Sequence, residues 1–252
     1  MDDALILAYH AVSDTWPADL AVTVDDLEQQ LTRLVRAGYR GATLTDVMEA
    51  PRSGKRVVVT FDDAYLSVLE RAYPVLVSLG LPGVVFVPTD WPDRAPPMSW
   101  PGISQWVGTE HESEMRCLRW PQLQELAAAG WEIGSHTCSH PHLSTLGDQD
   151  LRRELQTSRA VIEDRLGIPC HTLAYPYGDH DERVVEETEA AGYHWACALP
   201  AQAMASHRLR VQRVGVYRGE TWLRHRAKVS PLVRRARDTG LLEPAVRRLR
   251  RA

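Results

Sequence analysis

The chain has 252 residues, 44% of them hydrophobic, and a formal net charge of −4, which is enough to enclose one barrel-sized core. No run of 18 or more apolar residues occurs, which excludes an ordinary transmembrane helix. The four cysteines, Cys117, Cys138, Cys170 and Cys197, form no CxxC pair, which argues against a zinc knuckle or a redox motif.

In chain order, Asp2 and Asp3 stand where a secretory leader would carry Lys or Arg, so a cytoplasmic location with reduced thiols is expected. Seven short apolar or β-branched runs follow: LILAYH, RVVVTF, GVVFVP, WEIGSH, HTLAYP, HWACAL and LRVQRVGV. Between them lie VDDLEQQLTRLVRAG, AYLSVLERAYPVLVSLG, WPQLQELAAAG, DQDLRRELQTSRAVIEDRLG and DERVVEETEAAG. Their apolar residues recur at helical spacing, as in Leu151, Leu155, Val161, Ile162 and Leu166, and each ends on a glycine suited to a helix C-terminus. Strands alternating with helices predict a parallel α/β sheet with right-handed crossovers. Seven strands fit a closed or nearly closed β/α barrel better than an open sheet.

One connection, residues 89–117, is rich in Pro and Trp, lacks a period, and is long for a barrel loop. Loops of that length inside a compact domain carry function or are irregular, and this one is read as a wall or lid over the site or as a surface excursion. Residues 1–221 are assigned to one barrel. Residues 222–252 are assigned to a basic amphipathic tail, whose net charge of +8 leaves −12 for the remainder.

In a parallel barrel the reactive groups collect where strands end, because the following loops converge on one face. RVVVTF ends in Asp62 and Asp63, WEIGSH in His136 with His140 beyond, HTLAYP runs into Tyr177 and Gly178, and LILAYH ends in His10. Adjacent carboxylates repel unless a cation or proton lies between them; a cap at the start of the following helix is the bland alternative. His136 and His140 are one helical turn apart in number, though Pro141 keeps any helical turn short. Two nitrogens and one oxygen suit zinc or a similar divalent ion with open positions.

TFDDAY at 60–65, SHTCSHPHLSTL at 135–146 and AYPYG at 174–178 resemble the first three motifs of the polysaccharide deacetylases, the NodB-homology group of carbohydrate esterase family 4. The likeness covers about residues 4 to 218. It implies a distorted (β/α)7-type barrel that removes N-acetyl groups from amino sugars with one divalent metal. By that resemblance Asp62 is the catalytic base, Asp63, His136 and His140 bind the metal, Thr137 supports the motif, and the backbone amide of Tyr177 is an oxyanion donor.

Two departures stand out. Ala174 occupies the position of an arginine that braces the catalytic aspartate, and LRVQRVGVYRG lacks the family's leucine-x-histidine acid. Tyr9, His10 and Val12 match a Tyr-His-x-Val start seen in branches that resemble exopolysaccharide-modifying deacetylases. His10 is therefore the expected general acid, with a buried packing histidine as the alternative. Arg213, costly inside a strand without a carboxylate partner, is the expected brace, with a surface salt bridge as its alternative. Asp181 and Trp195 are further candidates for the pocket.

The expected function is metal-dependent N-deacetylation of an acetylated amino sugar in a glycan, glycoside or lipid-linked intermediate, with zinc as the expected metal. The alternatives are deformylation or cyclic-imide hydrolysis on the same fold, or a catalytically silent sugar-binding barrel. No nucleic-acid partner is expected. The tail is read either as amphipathic helices on anionic lipid, a peripheral membrane contact, or as a helix packed on the acidic body.

Overall fold

The computed structural model describes residues 4–49, 54–199, 207–231 and 233. The described part opens with β1 (Leu5–Tyr9), followed by β2 (Ala11–Val12), β3 (Ala21–Val22), α1 (Val24–Arg36), β4 (Arg40–Gly41) and α2 (Leu44–Glu49). Strand and helix then alternate through β5 (Arg56–Phe61), α3 (Tyr73–Ser78), β6 (Gly83–Val87), α4 (Trp120–Ala128) and β7 (Glu132–Ser135). The alternation continues through α5 (Asp148–Leu166), β8 (Thr172–Ala174), α6 (Glu182–Ala190) and β9 (Trp195–Ala198), and ends with β10 (Val211–Gln212), β11 (Val214–Gly215) and α7 (Trp222–Val229).

All seven expected strands are present, every ladder pairing is parallel, and the order is β10-β9-β8-β7-β6-β5-β1-β11 with β4 on the start of β5. The last expected strand, LRVQRVGV, is split at Arg213. Its first half pairs with β9 and its second half with β1, so one segment carries both edges and brings the sheet to a nearly closed barrel. The Arg213 N–H still donates to Ala198 O at 3.2 Å, and the Val216 N–H donates to Ala8 O at 2.9 Å.

Side chains alternate across each strand. Ile6, Val58, Val84 and Phe86 join Ala174 and Cys197 in one small cluster, while Leu5, Leu7, Val57, Val59 and Val85 join the larger cluster with the apolar faces of the helices. Full burial of each such side chain contributes about 1.5–3 kcal/mol. Gly83 is required where it stands, because a Cβ there would lie 2.3 Å from the Trp131 ring, which stacks on Phe61 at 5.8 Å.

Helix ends follow the residues that favour them. Thr23 caps α1 by accepting from Asp26 N, and α5 stops at Gly167 with φ 66, the left-handed position that glycine adopts without strain. The single helix expected over 64–80 is instead a π-turn, Val68–Ala72, running into α3, with Tyr73 N–H bonded to Val68 O. Pro74 has no N–H to continue the i→i−4 ladder, and the backbone accommodates it by widening one turn.

The long 89–117 connection contains two 3-10 turns, Ser104–Trp106 and Glu112–Met115. It is clamped at Glu114, which accepts from Ser13 Oγ at 2.8 Å, Thr15 Oγ1 at 3.1 Å and Arg71 Nη1 at 2.8 Å. At the far end of the chain α7 packs on the body. Arg33 lies 4.1 Å from the Trp222 ring, His225 is buried, and Lys228 Nζ donates to Gly215 O at 2.6 Å. The rest of the basic stretch, residue 232 and residues 234–252, lies outside the described residues, and with it most of the tail that was read either as a lipid contact or as a helix packed on the body. Among the described residues no helix is long and apolar enough to cross a membrane.

Candidate active site

The strand ends of β1, β5, β7 and β8 deliver their polar residues to one pocket of about 320 Å3, lined among others by His10, Asp62, Asp63, His136, His140 and Tyr177. The backbone there is unusual. Six non-glycine residues among those described have positive φ, and five of them, Asp63, Ala64, Thr137, His140 and Tyr177, lie in these loops. Left-handed backbone at a β-branched residue such as Thr137 (φ 66) is costly and persists where the surroundings enforce it, most often at functional sites. The expected helical turn linking His136 to His140 is absent. The segment turns through Thr137 and His140, both with positive φ, and Pro141 disfavours the right-handed helical region at His140.

Asp63 Oδ1 lies 3.3 Å from His136 Nε2 and 3.3 Å from His140 Nε2. The three donor atoms fall within 4.8 Å of one another and all three residues are buried. Asp63 Oδ1 has no hydrogen-bond partner, an arrangement that is expensive without a cation. Two ligands at about 2.0–2.1 Å from a tetrahedral zinc stand roughly 3.3–3.4 Å apart, which matches both Asp63 to histidine separations. His136 Nδ1 lies 2.7 Å from Ala174 O. That contact places the ring proton on Nδ1 and leaves the Nε2 lone pair facing Asp63.

Asp62 points elsewhere. Arg213 Nη1 and Nη2 donate to its two carboxylate oxygens at 2.6 and 2.8 Å, and Nη1 also donates to Thr60 Oγ1 at 2.9 Å. The guanidinium is buried and lies 5.4 Å from the Phe86 ring. Arg213 therefore reaches Asp62 past the intervening β1, in the bidentate form that is strongest for this pair, and the surface alternative is excluded. His10 Nε2 lies 3.9 Å from Asp62 Oδ2; its side chain is 17% exposed and lines the same pocket.

The electrostatics follow from these contacts. Burial works to raise both carboxyls. Arg213, with His136 and His10, outweighs it at Asp62, and the two imidazoles outweigh it at Asp63, so both lie below the ordinary aspartate range. Burial pushes His140 down, toward the neutral imidazole that ligates metals, while the Asp63 and Asp62 carboxylates outweigh burial at His136 and draw it up. Two buried carboxylates thus gather positive charge around them: a fixed guanidinium at one, imidazoles and room for a cation at the other.

Asp181 and Trp195 do not line the pocket. Asp181 caps α6 by accepting from Val184 N at 2.8 Å, and Trp195 lies in β9. Sequence reasoning did not name Trp100, whose ring stacks on His140 at 4.2 Å, or Tyr217, which lines the pocket beyond β11. His142, read from the sequence as structural or supporting and not as a ligand, stacks its ring on Tyr177 at 4.0 Å. The one available signal was the concentration of Trp and Pro in the 89–117 connection, which forms a wall of the pocket through Trp100, Pro101, Gly102 and Ile103.

Comparison with known proteins agrees with this geometry. The sequence profile described as "Polysaccharide deacetylase" matches residues 49–196. The chain is 28% identical over 218 residues to YxkH of Bacillus subtilis (strain 168), spanning 82% of this chain and 70% of that protein. It is 23% identical over 233 residues to the poly-beta-1,6-N-acetyl-D-glucosamine N-deacetylase of Escherichia coli (strain K12), spanning 74% of this chain but 32% of the longer protein. Among solved structures, Streptococcus pyogenes deacetylase PplD superposes with a TM-score of 0.74 at 21% identity, covering 90% of this chain and 98% of that one. At that identity the likeness establishes the fold.

Proposed function

The chain belongs to the polysaccharide deacetylase family, and from that premise we propose that it hydrolyses the N-acetyl group of an acetylated amino sugar, with Asp63, His136 and His140 holding one divalent ion, zinc. The observation that carries this reading is the buried Asp63–His136–His140 trio beside a second carboxylate, Asp62, that Arg213 holds by both oxygens. When bound, the metal supplies Lewis-acid polarisation of the acetamide carbonyl and lowers the pKa of a bound water.

This chain's own residues do the rest. Asp62 takes the proton of the attacking water, and Arg213 keeps its carboxylate ionised and oriented in a site where burial alone would protonate it. Arg213 replaces the arginine that Ala174 does not provide. His10, beside Asp62 in the pocket, gives a proton to the departing sugar amine, the role for which LRVQRVGVYRG has no histidine. The amide of Tyr177 donates to the oxygen that gains charge as water adds to the carbonyl. The pocket volume sits at the low end of small-molecule sites, roughly 300–1,000 Å3, which suits entry of one sugar residue.

Metal analysis coupled to an acetate-release screen over N-acetylated monosaccharides, nucleotide sugars and oligomers tests the reading. Asp62→Asn is expected to keep the metal and lose acetate release; His136→Ala is expected to lose both. Formate in place of acetate would move the protein to deformylation, and full activity in Asp62→Asn would remove the proposed base.

A further inference from the structure

The two imidazoles of the trio are held in different ways. His136 is fixed by its own hydrogen bond, Nδ1 to Ala174 O at 2.7 Å. His140 Nδ1 is buried with no hydrogen-bond partner, and it is the His140 backbone N–H, not its ring, that donates to Thr137 Oγ1. Aromatic rings surround it instead. Trp100 lies face to face with the His140 ring at 4.2 Å and 19°, and Tyr177 meets it edge-on at 4.6 Å and 71°. Trp100 is 7% exposed and is met edge-on by Trp91 at 5.6 Å, over which Arg94 lies at 5.4 Å. The 89–117 connection thus reaches the candidate metal site through a run of ring contacts that ends with Trp100 stacked on a ligand ring.

We propose that Trp100 is the positioning residue of His140, its indole face fixing the imidazole plane so that Nε2 points at Asp63 Oδ1. Imidazoles that bind metals are ordinarily oriented by a hydrogen bond at the other ring nitrogen, and loss of such a partner costs about 10–100-fold in metal affinity. His140 lacks that bond, and a stacked ring restricts the same torsion. The 89–117 wall is then part of the metal site. The inference rests on the reading that Asp63, His136 and His140 bind a metal.

The test is the affinity of the full chain for Co(II) and Zn(II), measured by competition with a chromophoric chelator, together with the visible spectrum of the Co(II) form. Trp100→Ala is expected to weaken binding about 10-fold, at the lower end of that range, and to shift the Co(II) bands; Trp100→Phe, which restores a stacked ring, is expected to recover most of the affinity and the spectrum. Trp106→Ala is the control, since Trp106 packs on Trp16 and His111 in the same connection without touching a ligand, and it is expected to bind as the parent does. Should Trp100→Ala fail to fold, Trp100→Leu takes its place, keeping apolar bulk without an aromatic face. Parental affinity and spectrum in the non-aromatic variant, or an equal loss in Trp106→Ala, would overturn the role of Trp100. A parent chain that binds neither ion would overturn the metal reading itself.

Discussion

His10 separates a packing role from a chemical one. Its Nε2 stands 3.9 Å from the Asp62 carboxylate in the pocket, close enough to share the environment of the proposed base and too far to be consumed in a hydrogen bond with it. A general acid contributes about 10²–10⁴-fold. His10→Ala is therefore expected to keep its metal content and melting temperature while acetate release falls by roughly that factor; unchanged turnover would return His10 to the core. Asp62, Asp63, His136 and His140 were legible in the sequence because each pair is set by a few consecutive residues at a strand end. Trp100 was not, because its approach to His140 depends on how a loop without period folds back over the barrel, and no local spacing encodes that return. The left-handed backbone at Thr137 was equally hidden, since a β-branched residue rarely adopts positive φ.

At the scale of elements, the 89–117 connection is held by side chains. Glu114 joins it to Ser13, Thr15 and Arg71. Burial works to raise its carboxyl, but hydrogen bonds from Arg71 and Ser13 and the Arg71 charge outweigh this, so the folded-state value lies below that of an ordinary glutamate. A depressed carboxyl contributes stability that is fully present above the unfolded value, about 4.3, and is lost as the pH falls through the lower folded value. Glu114→Gln keeps the volume and removes the charge. Melting temperatures of the two proteins are expected to differ most above about pH 4.3 and to converge in more acid solution; a gap independent of pH would mean that the clamp is not electrostatic. The helix–strand alternation was readable because amphipathic period dominates each segment. The π-turn before α3 required knowing that Pro74 would be accommodated by widening a turn and not by ending the helix, a choice made by the packing of Val68, Ala72, Val75 and Leu76 in the core.

For the whole molecule, one residue joins barrel closure to chemistry. The apolar alternation of LRVQRVGV slips phase at Arg213, from Leu209 and Val211 to Val214 and Val216, and the change of partner from β9 to β1 falls at that slip; a charge inside the strand was the second sign. In the folded chain the segment that unites the two sheet edges sends its guanidinium past β1 to the aspartate at the end of β5, two strands away in the barrel's order. Removing one member of a buried pair leaves the other charged and unsolvated, at a cost of about 3–5 kcal/mol, whereas replacing both with apolar groups is often close to neutral. Arg213→Met is accordingly expected to lower urea-unfolding stability by roughly 3–5 kcal/mol, and Asp62→Leu combined with Arg213→Met to recover most of that loss without recovering any acetate release. Additive destabilisation in the double variant would mean that the guanidinium holds the barrel shut through Thr60 and the strand backbone, independently of Asp62. Recovery would mean that the pair is retained for the base and not for the fold, with closure resting on the ladders to β9 and β1.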